Sequence, residues 1–388
     1  MHRMRNARPL LLCIGLCCSL LPAPAWSRPR TPDQPPRTET GTLQGAPWRI
    51  DVPAHWNGEL VMYAHGFEPV GTPRPDPWPA NPWTQALGKA GYAVAQSGYR
   101  SQGWAVKDAI DDLERLRAQF LREHPDTRHT WIMGFSMGGA VAIATLERLP
   151  AHYAGGASLC GANLPGSVLA SEMLTSLLAF EYFFPNASGL PVASLASADA
   201  ATPPQHELFA AIDAAVKGNP KAAAVLARRL EVTPDELSGT LSLHALVFQQ
   251  LLKRAGGMPA GNHETAYAGF GDDKAFNAGV RRVAADPAAQ ARLDRDLALT
   301  GALRRPLVLQ YNRADPSVTP RFEAVYPALV AKAGAATQLT TLPATGTGHC
   351  DFTPEQIVDA VVTLGRPAAP APATLPAAAR STDAAPRP

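Results

Sequence analysis

A serine between glycines, a histidine on a late glycine-bearing loop and an aspartate just past a strand could together break an ester or amide bond. The serine is Ser136, in "GFSMGG" (134–139), where an apolar run of strand formers gives way to a helical pattern. If a strand must turn sharply into a helix, the apex residue is forced into an unfavourable backbone conformation, and side chains two positions before and after it collide. Gly134 and Gly138 remove that collision. The strain would hold the Ser136 hydroxyl above the carboxyl end of a sheet, where the first turn of the helix offers unpaired N–H groups to developing negative charge. The other reading of the same residues is a glycine-rich helix start with Ser136 as an ordinary N-cap. In a chain with 31 glycines the pentapeptide decides little by itself. Its flanks, "HTWIM" and "GGAVAIATLERL", supply the strand and the helix that an elbow needs.

A serine hydroxyl is a poor nucleophile near neutral pH until a base takes its proton and an acid orients that base. In strand–turn–helix architectures these follow in the order Ser, acid, His. Ten histidines compete. His55 and His65 precede the serine, and His244 and His263 fall in a long helical interval. His349, in "ATGTGHCDF", follows the last strand-like run and precedes a final helix. Asp315, in "PLVLQYNRADPSVTP", stands just beyond a strand in a turn shaped by Pro316 and Pro320. The end of the preceding strand, "SLCGANLPG", carries no carboxylate, and Asp351 is badly placed to meet the imidazole from the opposite side. For an oxyanion the expected donors are the backbone N–H groups of Met137, next to the nucleophile, and Phe67, in "VMYAHGFEP". Gly66 would let that loop approach the substrate closely, and His65 reads as structural.

These residues need a sheet to carry them. Short runs of strand formers, "WRIDVP" (48–53), "GELVMYAH" (58–65), "YAVAQSGY" (92–99), "TWIMGF" (130–135), "GGASLC" (155–160), "PLVLQYN" (306–312) and "TQLTTLP" (337–343), alternate with helical segments. That alternation predicts an α/β fold, a mostly parallel sheet flanked by helices. One interval breaks the rhythm: residues 163–302 hold helical segments and no convincing strand, too many for an ordinary crossover. The interval reads as a helical cap or lid inserted into a core made of 47–162 and 303–366. Within it, Phe180, Tyr182, Phe183 and Phe184 could line an acyl pocket, though such clusters more often form a subdomain's own core. Asp272 and Asp273 read as a solvated turn rather than a metal site, because further ligands at suitable spacing are missing.

The ends read differently. Residues 1–25 have a basic start, an apolar stretch too short to span a bilayer and a small-residue "APA" finish, the pattern of a cleaved Sec-type signal peptide. Residues 26–46 and 367–388 are rich in proline and alanine or polar residues and read as a disordered linker and tail. Removing the leader takes away three arginines and no acid, so the formal charge falls from +2 to −1, and nothing electrostatic points to nucleic acid. Of five cysteines, Cys160 and Cys350 remain, an even pair in a chain bound for the periplasm or the exterior. No stable membrane insertion is expected after cleavage. Composition leaves the oligomeric state undetermined.

Taken together, the His65-Gly66-Phe67 loop, "GFSMGG", "YNRADPSV" and "GTGHC", in that order, resemble the α/β-hydrolase superfamily, over roughly 47–162 and 303–366. The resemblance implies a Ser136, Asp315, His349 triad, no cofactor, no metal and a cap inserted after the sixth strand. The secreted origin and the His-Cys pair are similar to bacterial extracellular esterases and lipase-like enzymes, which implies a small-molecule or lipid-like ester as substrate. Cys160 ends a strand on the edge shared with the histidine loop, so the two cysteines are either a bridge clamping that loop or two buried thiols. Two other functions stay open: a serine peptidase acting on short peptides, and a catalytically silent binding protein on the same scaffold.

Overall fold

The computed structural model describes residues 35–187, 190, 195–197 and 203–365. The expected leader (1–25), the first part of the expected linker (26–34) and the expected tail (367–388) lie outside the described residues.

Eight strands form one sheet: β1 (Arg37–Leu43), β2 (Ala46–Val52), β3 (Glu59–Ala64), β4 (Ala93–Ser97), β5 (His129–Phe135), β6 (Gly155–Leu159), β7 (Leu307–Gln310) and β8 (Leu339–Thr341). Their spatial order is β1-β2-β4-β3-β5-β6-β7-β8. β1 and β2 pair antiparallel, β2 meets β4 antiparallel, and every later pairing is parallel. The central strands are apolar without alternation because both faces are covered. In β3, Leu60, Met62 and Ala64 join the core on one face, while Val61 and Tyr63 join the core on the other.

Helices α1 (Pro82–Lys89) and α11 (Pro354–Leu364) cover the second face through Leu87, Ile357 and Val361. The first is covered by α2 (Val106–Glu123), α3 (Met137–Arg148) and α10 (Val325–Lys332). Helix starts follow local chemistry: Asn81 opens α1 and Thr353 opens α11, each with a reciprocal capping box and a proline in the first turn.

The linker expectation for 26–46 needs correction. Residues 37–43 are strand β1, joined to β2 by Gln44 and Gly45, which both have positive φ (51° and 84°) as a two-residue hairpin turn requires. β1 is an outer strand with mostly exposed side chains, so "RTETGTL" carries no apolar face for periodicity to reveal.

Between β6 and β7 lie α4 (Gly166–Phe183), α5 (Gln205–Gly218), α6 (Pro220–Leu230), α7 (Leu237–Ala255), α8 (Asp273–Gly279) and α9 (Pro287–Asp296). No strand occurs here among the described residues. α7 is the central member, packed on α4, α5 and α9, with Leu241, Phe248 and Leu251 fully buried. Truncating any of these to alanine would cost about 2–5 kcal/mol. The two ends of the insertion meet where the Gly166 N–H donates to the Leu297 carbonyl at 3.0 Å. Its apolar side chains continue directly into the core beneath the sheet rather than forming a separate cluster. Among the described residues no helix is long and apolar enough to cross a membrane.

Candidate active site

Ser136 stands between the last residue of β5 and the first of α3, with φ 57° and ψ −124°. A backbone of this kind costs a residue with a side chain about 1–3 kcal/mol. Space around it explains the glycines. A Cβ on Gly134 would lie 1.8 Å from the Gly138 carbonyl oxygen, and one on Gly138 would lie 2.1 Å from the Ala64 carbonyl oxygen. Gly139 is equally constrained, since a Cβ there would reach 2.4 Å from Ser158 Oγ. The Ser136 side chain makes no capping hydrogen bond to α3, so it is not an ordinary N-cap. Its backbone is held from β6, where the Leu159 carbonyl accepts from Ser136 N–H at 3.3 Å, and from Ala162, whose N–H donates to the Ser136 carbonyl at 3.0 Å.

The loop after β3 packs against this elbow. A Cβ on Gly66 would sit 3.2 Å from Ser136 Cβ and 3.6 Å from its Oγ, so only a bare backbone passes without crowding. Among the described residues, neither the Phe67 N–H nor the Met137 N–H has a hydrogen-bond partner within the protein. Unpaired backbone donors normally find water or a ligand. His65 anchors the loop: its ring stacks on Tyr99 at 4.0 Å, its Nδ1 lies 2.8 Å from the Gly66 carbonyl, and burial pushes its pKa down to about 4. It is a neutral structural ring at ordinary pH.

Asp315 and His349 meet on the loops after β7 and β8. The His349 Nδ1 lies 2.8 Å from Asp315 Oδ2 and 3.0 Å from Oδ1. Asp315 is 3 % exposed, and its Oδ1 also accepts from the Ser317 and Val318 N–H groups at 2.8 and 2.9 Å. A carboxylate held by three donors is fixed in orientation. Asp351 takes no part: its Oδ2 accepts from the Thr347 N–H, which shapes the histidine loop instead.

The structure does not hydrogen-bond Ser136 Oγ to His349. The imidazole Nε2 lies 3.6 Å from Cys350 Sγ instead. The two loops are nonetheless neighbours, and the chain of contacts is short. Phe135 pairs with Leu159 across β5 and β6, so the residues that follow, Ser136 and Cys160, leave the sheet from adjacent strand ends. A disulfide joins Cys160 to Cys350 with the Cα atoms 5.2 Å apart, and His349 is the residue before Cys350. Both cysteines take positive φ, 45° and 60°, so each sits on a tightly turned backbone. The bridge expected as one of two alternatives is the one present.

Sequence reasoning missed the residues that strap these loops together. Asn312, 1 % exposed, donates from Nδ2 to the Thr345 and Asp351 carbonyls, both at 2.9 Å, and so ties the acid-bearing loop to the histidine loop. The Gly348 N–H adds a bond to the Ala314 carbonyl. Behind the elbow, Ser158 Oγ donates to Asn163 Oδ1 at 2.7 Å and Asn163 Nδ2 to the Tyr311 hydroxyl at 2.9 Å, while burial pushes the Tyr311 phenol up to about 12. A lone asparagine in a loop carries no periodicity, so only the asparagine-before-turn context of "YNRAD" hinted at a role.

Two further expectations resolve toward packing. Phe180 and Phe184 are buried, while Tyr182 and Phe183 pack on Phe276, so the aromatic cluster belongs to the insertion's interior. Asp272 caps α8 through Ala275 N–H, and Asp273 accepts from the Gly269 and Phe270 N–H groups. Among the described residues no three His, Cys, Asp or Glu side chains gather as metal ligands would.

No protein-family model and no curated protein matches the sequence. Solved structures that align with it include an acylaminoacyl peptidase from Pyrococcus horikoshii, at 12 % identity and a TM-score of 0.44, covering 85 % of this chain and 41 % of that one. A carboxyl esterase from Bacillus coagulans, in complex with glycerol, aligns at 14 % identity and a TM-score of 0.43, covering 86 % and 97 %. An E-2-(acetamidomethylene)succinate hydrolase aligns at 14 % identity and a TM-score of 0.39, covering 85 % and 97 %. This chain thus spans about two fifths of the peptidase it aligns with. The fold assignment rests on the sheet itself: parallel from β4 onward, covered by helices on both faces, and interrupted by helices alone between β6 and β7 among the described residues. The architecture is the α/β-hydrolase fold, a mostly parallel eight-stranded sheet flanked by helices.

Proposed function

We propose that this chain is a serine hydrolase that cleaves carboxylic esters through an acyl-enzyme, exported by residues 1–25 to the periplasm or beyond. The observation that carries the proposal is the pairing of a strained, glycine-flanked Ser136 with two unengaged backbone donors, at the carboxyl end of the parallel strands, where the loops after β7 and β8 carry a His349 hydrogen-bonded to buried Asp315. The disulfide accords with an oxidising destination.

In this reading Ser136 Oγ attacks the ester carbonyl carbon while His349 Nε2 takes the hydroxyl proton. The carbonyl oxygen becomes an oxyanion between the Phe67 and Met137 N–H groups. The tetrahedral adduct then expels the alcohol, which leaves with the proton held on Nε2. Water, deprotonated by the same nitrogen, releases the acid and restores Ser136. Asp315 stays ionised throughout. It holds the proton on Nδ1, so that Nε2 is free to accept, and it steadies the imidazolium. The imidazole must swing from Cys350 Sγ toward Ser136 Oγ when substrate binds. Such tightening from a loose resting geometry is common in enzymes of this kind.

The test is a fluorophosphonate probe together with a panel of p-nitrophenyl acyl esters and aminoacyl or prolyl anilides. Labelling at Ser136, its loss in Ser136→Ala, and turnover of esters support the proposal. Turnover confined to anilides would make the chain a peptidase, and an unlabelled wild type would make it a silent scaffold.

A further inference from the structure

A groove of about 910 Å³ opens between the loop after β3 and the insertion, walled on one side by Phe67 and residues 69–72 and on the other by the start of α5 and the C-terminal half of α7, while the Glu68 carboxylate turns away to pair with Arg74. Its volume is that of a site for a substantial small molecule. It begins at Phe67, one residue, about 3.8 Å of chain, from the Gly66 that packs on Ser136. Phe67, Val70 and Leu246 give it apolar surface, and Gln205 and Gln250 give it neutral amides. Among the described residues lining it there is one charged side chain, the ammonium of Lys253, and no carboxylate. Lys253 is exposed and forms no ion pair or hydrogen bond among the described residues. Arg254, the next residue, is engaged: it bonds to Ser101 Oγ, the Gln102 carbonyl and Asp108. A hydrolase whose groove were built for plain acyl chains would gain nothing from a lone cation on the wall. A carboxylate or other anion in the same place would find a partner in Lys253, and no carboxylate among the described residues lines the groove to oppose it.

We propose that this groove receives the longer arm of the ester and that Lys253 selects substrates whose far end is anionic. This rests on the ester-hydrolase reading of Ser136. The recognised chemistry is an ester with an apolar, hydrogen-bonding body and a terminal carboxylate. The carboxylate could belong to the acyl half or to the alcohol half. Two substrate series separate these: p-nitrophenyl half-esters of dicarboxylic acids against p-nitrophenyl esters of matched monocarboxylic acids, and butyrate esters of hydroxy acids against those of matched alkanols.

The quantity read is the ratio of kcat/KM for the anionic over the neutral member of each pair, at increasing chain length. In wild type that ratio should favour the anion by about fivefold at the best length in one series, the scale of an exposed charge pair. It should shrink as salt is raised, fall toward unity in Lys253→Gln, and invert in Lys253→Glu. Because each ratio is internal to one variant, a loss of folded protein cancels. A ratio near unity at every length in both series overturns the proposal, as does a preference for the anion that survives unchanged in Lys253→Gln. Either result with neutral esters still cleaved leaves the hydrolase reading intact. Failure to cleave any ester would instead strike at Ser136.

Discussion

Replacing Asp315 by asparagine separates orientation from charge at this site. The oxygen of the new amide can still accept the Ser317 and Val318 N–H groups that Asp315 Oδ1 accepts at 2.8 and 2.9 Å, so the turn should survive. The other branch then becomes an NH2 facing His349 Nδ1, where Oδ2 now lies at 2.8 Å. Two donors cannot share that contact, so the imidazole shifts its proton to Nε2, and an Nε2 that carries a proton cannot take one from Ser136. The corresponding exchange in a Ser-His-Asp site lowers kcat by about 10⁴, a loss of about 5 kcal/mol of transition-state stabilisation. We expect Asp315→Asn to lower kcat on a p-nitrophenyl ester by about that factor, with KM and thermal midpoint nearly unchanged. Stopped-time assays on protein purified away from any wild-type contaminant, beside a melting curve, give both numbers. A variant within tenfold of wild type in kcat would refute the assignment of Asp315 as the orienting acid, because among the described residues Nδ1 has no other hydrogen-bond partner.

Three other perturbations follow from the same geometry. Gly138→Ala forces a Cβ to within 2.1 Å of the Ala64 carbonyl oxygen, so it should displace the elbow, abolish fluorophosphonate labelling and lower the melting temperature; full labelling would show the elbow tolerates the shift. Reducing the Cys160–Cys350 bridge, or replacing both with serine, should free the histidine loop and lower kcat more than KM. In the chain-entropy limit, closing a loop of about 190 residues contributes up to about 5 kcal/mol, readable by urea unfolding with and without reductant. For pH, burial lowers the folded-state pKa of His65 to about 4 and of His244 to about 3, whereas unfolded histidine titrates near 6.5. The unfolded chain therefore binds more protons below pH 6.5, so stability should fall as pH drops from about 6.5 toward 4 by a few kcal/mol, and His244→Gln should flatten part of that slope.

Much of this was readable from residue types because the elbow imposes steric demands that only glycine meets, and Gly134, Ser136 and Gly138 therefore carry their own geometry. Asp315, just past apolar β7, and His349, on a glycine-bearing loop after the last strand, were singled out by position, and the structure brings the two into contact. β1 escaped notice because an outer strand buries almost nothing and so displays no alternating pattern. Asn312 escaped because its role depends on two carbonyls, Thr345 and Asp351, more than thirty positions away. Lys253 reads in sequence as one more polar residue near the end of a helix. The groove that gives it meaning forms only when the β3 loop and α7 are brought face to face. The sequence grouped Ser136, Asp315 and His349 as one triad; the structure joins Asp315 to His349 but turns the imidazole Nε2 to the sulfur of Cys350.

The bond from Gly166 to Leu297 bears on how the chain assembles. Pairing β7 with β6 closes a loop of about 150 residues, which for a flexible segment costs about 4 kcal/mol in entropy. Once α4 and α9 have folded with their ends in contact, most of that cost has already been met, so the expected order is helices first and β7 second. Pulse-labelled exchange that found β7 protected before α4 would contradict this order. If it holds, Ser136 on the early strands and the Asp315–His349 pair on the last two are brought to the same end of the sheet only at the close of folding.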